Sequence, residues 1–195
     1  MHGLINRAIQ CFLRDTYGDD VWDKIMQQAD LGYSSFESML IYEESVTFRV
    51  LELAAQALRK SPDDLLEDLG TYLVSHDNVE ALRRLLRFGG VDFVEFLHSL
   101  NDLPDRARLA VPDLFLPELT LEEPNEGEFR LRCAAHYPGF GHVMVGVIRA
   151  MADDYGALAF TDYVGADAED EVISIMLLQE DFAAGRSFEL AQKAG

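Results

Sequence analysis

The sequence predicts an α+β fold: a helical N-terminal half packed with a four-stranded antiparallel sheet and one long helix. Three observations carry this. Apolar positions follow helical spacing from residue 4 to about residue 103. After Pro112 the spacing switches to alternation around a turn, and one long amphipathic stretch, residues 140–154, separates the strands. A chain of 195 residues with 49% hydrophobic residues is also long enough to bury a real core.

The elements follow in order. Leu4, Ile5, Ile9, Phe12 and Leu13 lie at helical spacing, and "YGDDVW" turns the chain into a second helix. "SSFESMLIYEESVTFRVLELAAQALRK" predicts two more helices separated by "IYEESV", with Ser45 as N-cap ahead of Phe48, Leu51 and Leu53. "SPDDLLEDLGTYLVSH" is the clearest helix start: Ser61 caps, Pro62 opens, and two aspartates sit in the positive first turn. "NVEALRRLLRFGG" predicts a short helix closed by glycine. "VDFVEFLHSLNDL" sets Leu97, Leu100 and Leu103 on one face until Pro104, read as the stop. "PELTLEEPNEGEFRLRCAAHY" alternates around "NEGE" as a hairpin, with Leu119 and Leu121 facing Phe129, Leu131 and Cys133. "GFGHVMVGVIRAMADDYG" is a helix with Val143, Val147 and Met151 on one face, and "ALAFTDYV" and "DEVISIMLLQED" are two further strands. The expected organisation is a single domain over 1–185, helical to about residue 65 and mixed from about 66, followed by a tail at 186–195.

Composition excludes several function classes. A net charge of -19 repels phosphate backbones and acidic lipid, so nucleic acid and membrane surfaces are not expected partners. No apolar run approaches the roughly 20 residues that span a bilayer, and the N-terminus is too polar and periodic for a signal peptide, which predicts a cytoplasmic protein. Cys11 and Cys133 lack disulfide or zinc spacing. The runs "DAEDE" and "LEEPNEGE" lack calcium-loop spacing and read as solvated surface. "GFGHVMVG" has neither the strand–helix context nor the lysine of a phosphate loop, and no nucleophile elbow is present, so no enzyme is expected.

The words "MHGLINRAI", "YGDDVW", "IYEESVTFRVLELAAQAL", "FLHSLNDL", "VPDLFLP" and "HVMVGVIRAMADDYG", in this order and spacing, resemble the heme nitric-oxide/oxygen-binding (H-NOX) family, including the sensor domain of the soluble guanylate cyclase beta subunit. The resemblance covers the chain to about residue 180. It implies about seven helices and a four-stranded sheet enclosing a heme, held by an axial histidine and by a Tyr-x-Ser-x-Arg run on its propionates. It also implies that Pro117 presses on the macrocycle and that Ile5, Ile9, Val74, Leu100 and Val143 are pocket positions; the plainer reading of these is ordinary core.

Laid without gaps over "FLHSLNDLP", the axial position falls on Pro104, which has no side-chain nitrogen. The Tyr-x-Ser-x-Arg run falls on Cys133, Ala135 and Tyr137, and a phenol cannot imitate a bidentate guanidinium. His98, six residues before Pro104, is about 240° around the helix and about 9 Å along it. His136 is expected on the opposite sheet face, and His76 in a loop. His142, beside the distal position, is the fallback metal ligand against the plainer reading of a solvent-facing helix start. Cys133 is read as a buried strand cysteine rather than a thiolate ligand.

The expected function is therefore a sensory, regulatory ligand-binding domain, heme-free or with an altered ligand such as an unknown apolar molecule. The alternative is a heme gas sensor for nitric oxide or oxygen with a non-standard axial ligand. By resemblance the partner is a separate signalling protein, a histidine kinase or a cyclic-di-GMP enzyme; the sequence leaves the oligomeric state open.

Overall fold

The computed structural model describes residues 1–167 and 170–187. Within them the chain runs α1 (Gly3–Tyr17), α2 (Asp19–Ala29), α3 (Glu44–Leu58), α4 (Pro62–Ser75), α5 (Glu80–Arg87), α6 (Phe93–Ser99) and α7 (Leu103–Ala110). Then come β1 (Leu119–Asn125), β2 (Glu128–Ala134), α8 (Phe140–Tyr155), β3 (Leu158–Asp167) and β4 (Asp170–Gln179). The strands form one antiparallel sheet in the order β1-β2-β4-β3, so the α+β expectation holds. Residues 168–169, within "DAEDE", and 188–195, most of the expected tail, lie outside the described residues.

Two buried clusters share α4. Leu65, Leu69 and Tyr72 face the first, with Phe12, Leu13, Trp22 and Ile25. Val74 belongs to the second, in which α6 and α8 pack on the inner face of the sheet through Phe96, Leu97, Ile148, Leu131 and Ile173. The start of α4 is as read: the Ser61 hydroxyl accepts from the Asp64 N–H at 3.0 Å, with Pro62 in the first turn.

Three local expectations are corrected. Residues 34–41 form no helix. Only Phe36 among their large apolar groups is buried, and the segment is pinned to the N-terminus by the His2–Ile41 bridge and the Gly3 N–H to Leu40 carbonyl bond of 2.7 Å. A Cβ at Gly3 would collide with the Glu37 and Leu40 carbonyls, so the close approach requires glycine. Second, α3 begins one residue before Ser45, and its N-cap is Glu43. Third, Pro104 opens a helix instead of ending one. A 3-10 turn at Leu100–Asp102 follows α6, and Pro104 sits in the first turn of α7, where its missing N–H would have no partner anyway. The Arg106 guanidinium donates to the Ser99 carbonyl at 3.0 Å, satisfying the joint.

Candidate functional site

The first turn of α8 is held from a distance. Its N-cap, Gly139, has φ 89° and no capping side chain. Instead the Glu171 carboxylate, on β4, accepts from the Gly139 N–H at 2.7 Å and the Gly141 N–H at 2.6 Å. A negative charge at a helix N-terminus is favourable, and at 6% exposure this one is little screened by water. Position 141 takes glycine because a Cβ there would crowd Tyr163 and Glu171.

Two turns on, α8 meets α4 backbone to backbone. A Cβ at Gly70 would fall on the Val143 carbonyl, and one at Gly146 on the Glu67 carbonyl. Beside this contact the helices do not fill the space between them. One lobe of about 160 Å³ is walled by Ile5, Ile9, Leu69, Pro117 and Val143, among others. A second, of about 280 Å³, adds Leu82, Leu85 and Leu86 of α5 and Leu103 and Ala107 of α7. Ile5, Ala8, Leu73, Leu116, Phe140 and Val143 border both, so the lobes adjoin. Each alone is smaller than a typical small-molecule site, and each is almost wholly apolar.

The expected pocket residues divide. Ile5, Ile9, Pro117 and Val143 line the first lobe, and Tyr137 stands at its edge. Val74 and Leu100 are buried in the sheet-side cluster and border neither lobe. Pro104 is buried, but the lobe is reached by its neighbours Leu103 and Ala107. The Cys133–Tyr137 run is split, since β2 ends at Ala134. Cys133 is fully buried within the sheet core, Ala135 is exposed on the turn, and only Tyr137 reaches the cavity. Burial, and secondarily Glu171 and Asp170, pushes the Cys133 thiol up to about 12, so it stays protonated and inert.

Two of the histidine expectations, for His142 and His136, need correction. His142 is neither solvent-facing nor aimed into the cavity. Its ring stacks on Tyr163 with centroids 4.0 Å apart, and its nitrogens lie 3.3 Å from Glu67 and 3.7 Å from Asp63. His136 is on the exposed turn after β2, not on a strand face. His98 is exposed beside Glu123, and His76 stacks on Tyr72 at the end of α4.

Sequence reasoning missed the framework residues Glu171, Gly70 and Gly146. For the glycines there was a signal: each interrupts a helical pattern at a cost of about 1 kcal/mol relative to alanine, which points to close backbone approach. It also missed Asp154, 1% exposed, whose carboxylate meets Arg83 at 2.7 Å, Arg87 at 3.6 Å and Arg186 at 3.9 Å. The segment after β4 folds back there: Phe182 and Ala183 donate to the Gly156 carbonyl, and Arg186 to that of Asp154.

The family profile described as Haem-NO-binding matches residues 2–158. The chain belongs to the H-NOX family. Soluble guanylate cyclase 89Da of Drosophila melanogaster is 21% identical over 164 residues, covering 84% of this chain and 25% of that protein. Soluble guanylate cyclase gcy-31 of Caenorhabditis elegans is 22% identical over 154 residues, covering 79% of this chain and 22% of the relative. The chain thus spans about a quarter of the length of these relatives. The fold matches the H-NOX protein from K. algicida, solved as Fe(II) unliganded, with a TM-score of 0.76, 20% identity, and 92% and 98% of the two chains covered. It also matches a mutant of T. Tengcongensis H-NOX, with a TM-score of 0.76, 13% identity and coverage of 92% and 99%. H-NOX domains are sensors with a ligand-binding role, not catalysts themselves.

The residues around this H-NOX cavity do not fit a heme. No imidazole or thiolate lines either lobe among the described residues, and neither does any Arg or Lys side chain that could meet propionates. The one lining phenol, Tyr137, is pushed up by burial and then by Glu44, away from the phenolate that binds iron. Of the other lining groups, the Thr47 hydroxyl is already given to the Asn6 side-chain oxygen at 2.6 Å, and the thioethers of Met1 and Met144 are weak ligands without a histidine partner.

Proposed function

We propose that this chain is an H-NOX sensory module that works without heme, binding an apolar ligand in the two-lobed cavity and passing its state to a separate signalling protein. The observation that carries the reading is the donor set: proline at the axial position, and an apolar lining with no imidazole, thiolate or guanidinium among the described residues. Apolar burial alone holds a macrocycle without orienting it, so loss of both anchors removes what distinguishes a heme site from a hydrophobic cavity. The partner class implied by the resemblance is a histidine kinase or a cyclic-di-GMP enzyme. A net charge of -19 favours a partner with a basic face and salt-sensitive association. No described helix is long and apolar enough to cross a membrane.

The test is the absorption spectrum of protein expressed with ample heme precursor. It should be nearly colourless, with no Soret band, and added hemin should bind weakly and without stoichiometry. Pro104→His with Tyr137→Arg should raise hemin binding; Cys133 is best left alone, because tyrosine would overpack its fully buried site. Stoichiometric heme in the unaltered protein would overturn the reading and favour a gas sensor with a non-standard ligand.

A further inference from the structure

The interior of the cavity is almost wholly apolar, but its rim is not. Where the first lobe opens, Asp113 shares a recess with Tyr137 and His2. Glu44 lies near enough for its charge to act on the Tyr137 phenol. The Met1 ammonium, also at this edge, donates one of its three N–H groups to the Tyr42 carbonyl at 2.7 Å and keeps its charge, the single cation at the rim among the described residues. The His2 Nδ1 accepts from the Leu4 N–H at 3.1 Å, which leaves Nε2 as an imidazole donor in the neutral ring. No Arg or Lys side chain borders either lobe or this recess among the described residues. A carboxylate head arriving here would meet the Asp113 carboxylate, with Glu44 near, against the one Met1 ammonium, a net like charge, while a head that donates hydrogen bonds meets the Asp113 acceptor.

We infer that the cavity takes an amphiphile with a hydrocarbon body and a non-anionic, hydrogen-bond-donating head, a long-chain amine or alcohol, and discriminates against carboxylate heads, fatty acids and dipropionate porphyrins alike. This rests on the heme-free reading above and names the ligand class of the same site. The body fills the adjoining lobes, bending past Phe140 and Val143, and the head stays at the Asp113–Tyr137 rim.

The experiment displaces the neutral fluorophore N-phenyl-1-naphthylamine from the full chain with dodecanol, dodecylamine and dodecanoate at low salt. Dodecanol and dodecylamine should compete, with dodecanoate weaker by about tenfold or more. Each methylene added to the alcohol should tighten binding by about fourfold until the lobes are full. Asp113→Asn combined with Glu44→Gln should shrink the dodecanol-to-dodecanoate gap toward parity. Because an acidic protein attracts amines anywhere, binding must also vanish in Val143→Trp or, should that variant not fold, Ala8→Phe, which obstruct both lobes. Dodecanoate binding as tightly as dodecanol would overturn the rim assignment while leaving an apolar site intact. Failure of the fluorophore and all three competitors to bind would overturn the apolar-ligand reading itself. Binding that survives a cavity-filling variant would place the ligands elsewhere and sink the inference.

Discussion

The two ends of α8 are built on opposite plans. At its C-terminal end, Asp154 is surrounded by Arg83, Arg87 and Arg186, Arg87 lies 3.7 Å over the Tyr155 ring, and the returning segment closes on Gly156. At its N-terminal end one carboxylate, Glu171, holds the backbone from outside, and on the cavity side Phe140 and Val143 stand beside empty space. Both ends carry a buried carboxylate, but among the described residues only the N-terminal end borders empty space.

The sharpest way to break this contrast is Asp154→Ala. It leaves Arg83 buried without its counter-charge, and loss of one partner of a buried pair costs about 3–5 kcal/mol. Thermal unfolding should show a large fall in Tm, and protease should cut within 182–187 sooner. Gly146→Ala strikes between the ends. Its Cβ must displace the Glu67 carbonyl, and overpacking of this kind costs about 1–3 kcal/mol, readable as a lower urea midpoint.

Glu171→Gln is the mildest and sharpens the comparison from the open end. The amide keeps one acceptor but loses the charge on the α8 N-terminus, so about 0.5–2 kcal/mol is expected. It also removes one of the charges that, after burial, raise the neighbouring Cys133 thiol from 9.0 to about 12. A group raised in the folded state contributes stability below its unfolded value and loses it as pH climbs through the folded one. Stability should therefore decline from about pH 9 upward, less steeply in Glu171→Gln. At neutral pH a thiol reagent should label the partly exposed Cys11 well before Cys133.

Elements with strong local chemistry were legible in the chain. Ser61 and Pro62 announce α4, "NEGE" announces the hairpin, and Val143, Val147 and Met151 announce α8. What failed was settled by distant partners. Residues 34–41 lose their helix to a bridge with His2, and His142 is taken up by Glu67 and Tyr163, on elements far away in sequence. Pro104 misled because a proline that stops one helix and a proline that starts the next are written identically. The site was half legible for a similar reason. Spacing tells which face of a helix is apolar, as for Ile5 and Ile9, but not which apolar faces are left unfilled. Val74 and Leu100 fit the same pattern and are packed solid.

The glycine contact between α4 and α8 behaves as a fulcrum. Two helices touching along their backbones at Gly70 and Gly146 cannot be wedged apart there without breaking the carbonyl-to-glycine fit on both sides. A ligand that swells a lobe would therefore load α8 on the N-terminal side of that contact, toward the turn at Tyr137–Gly139 where the rim lies.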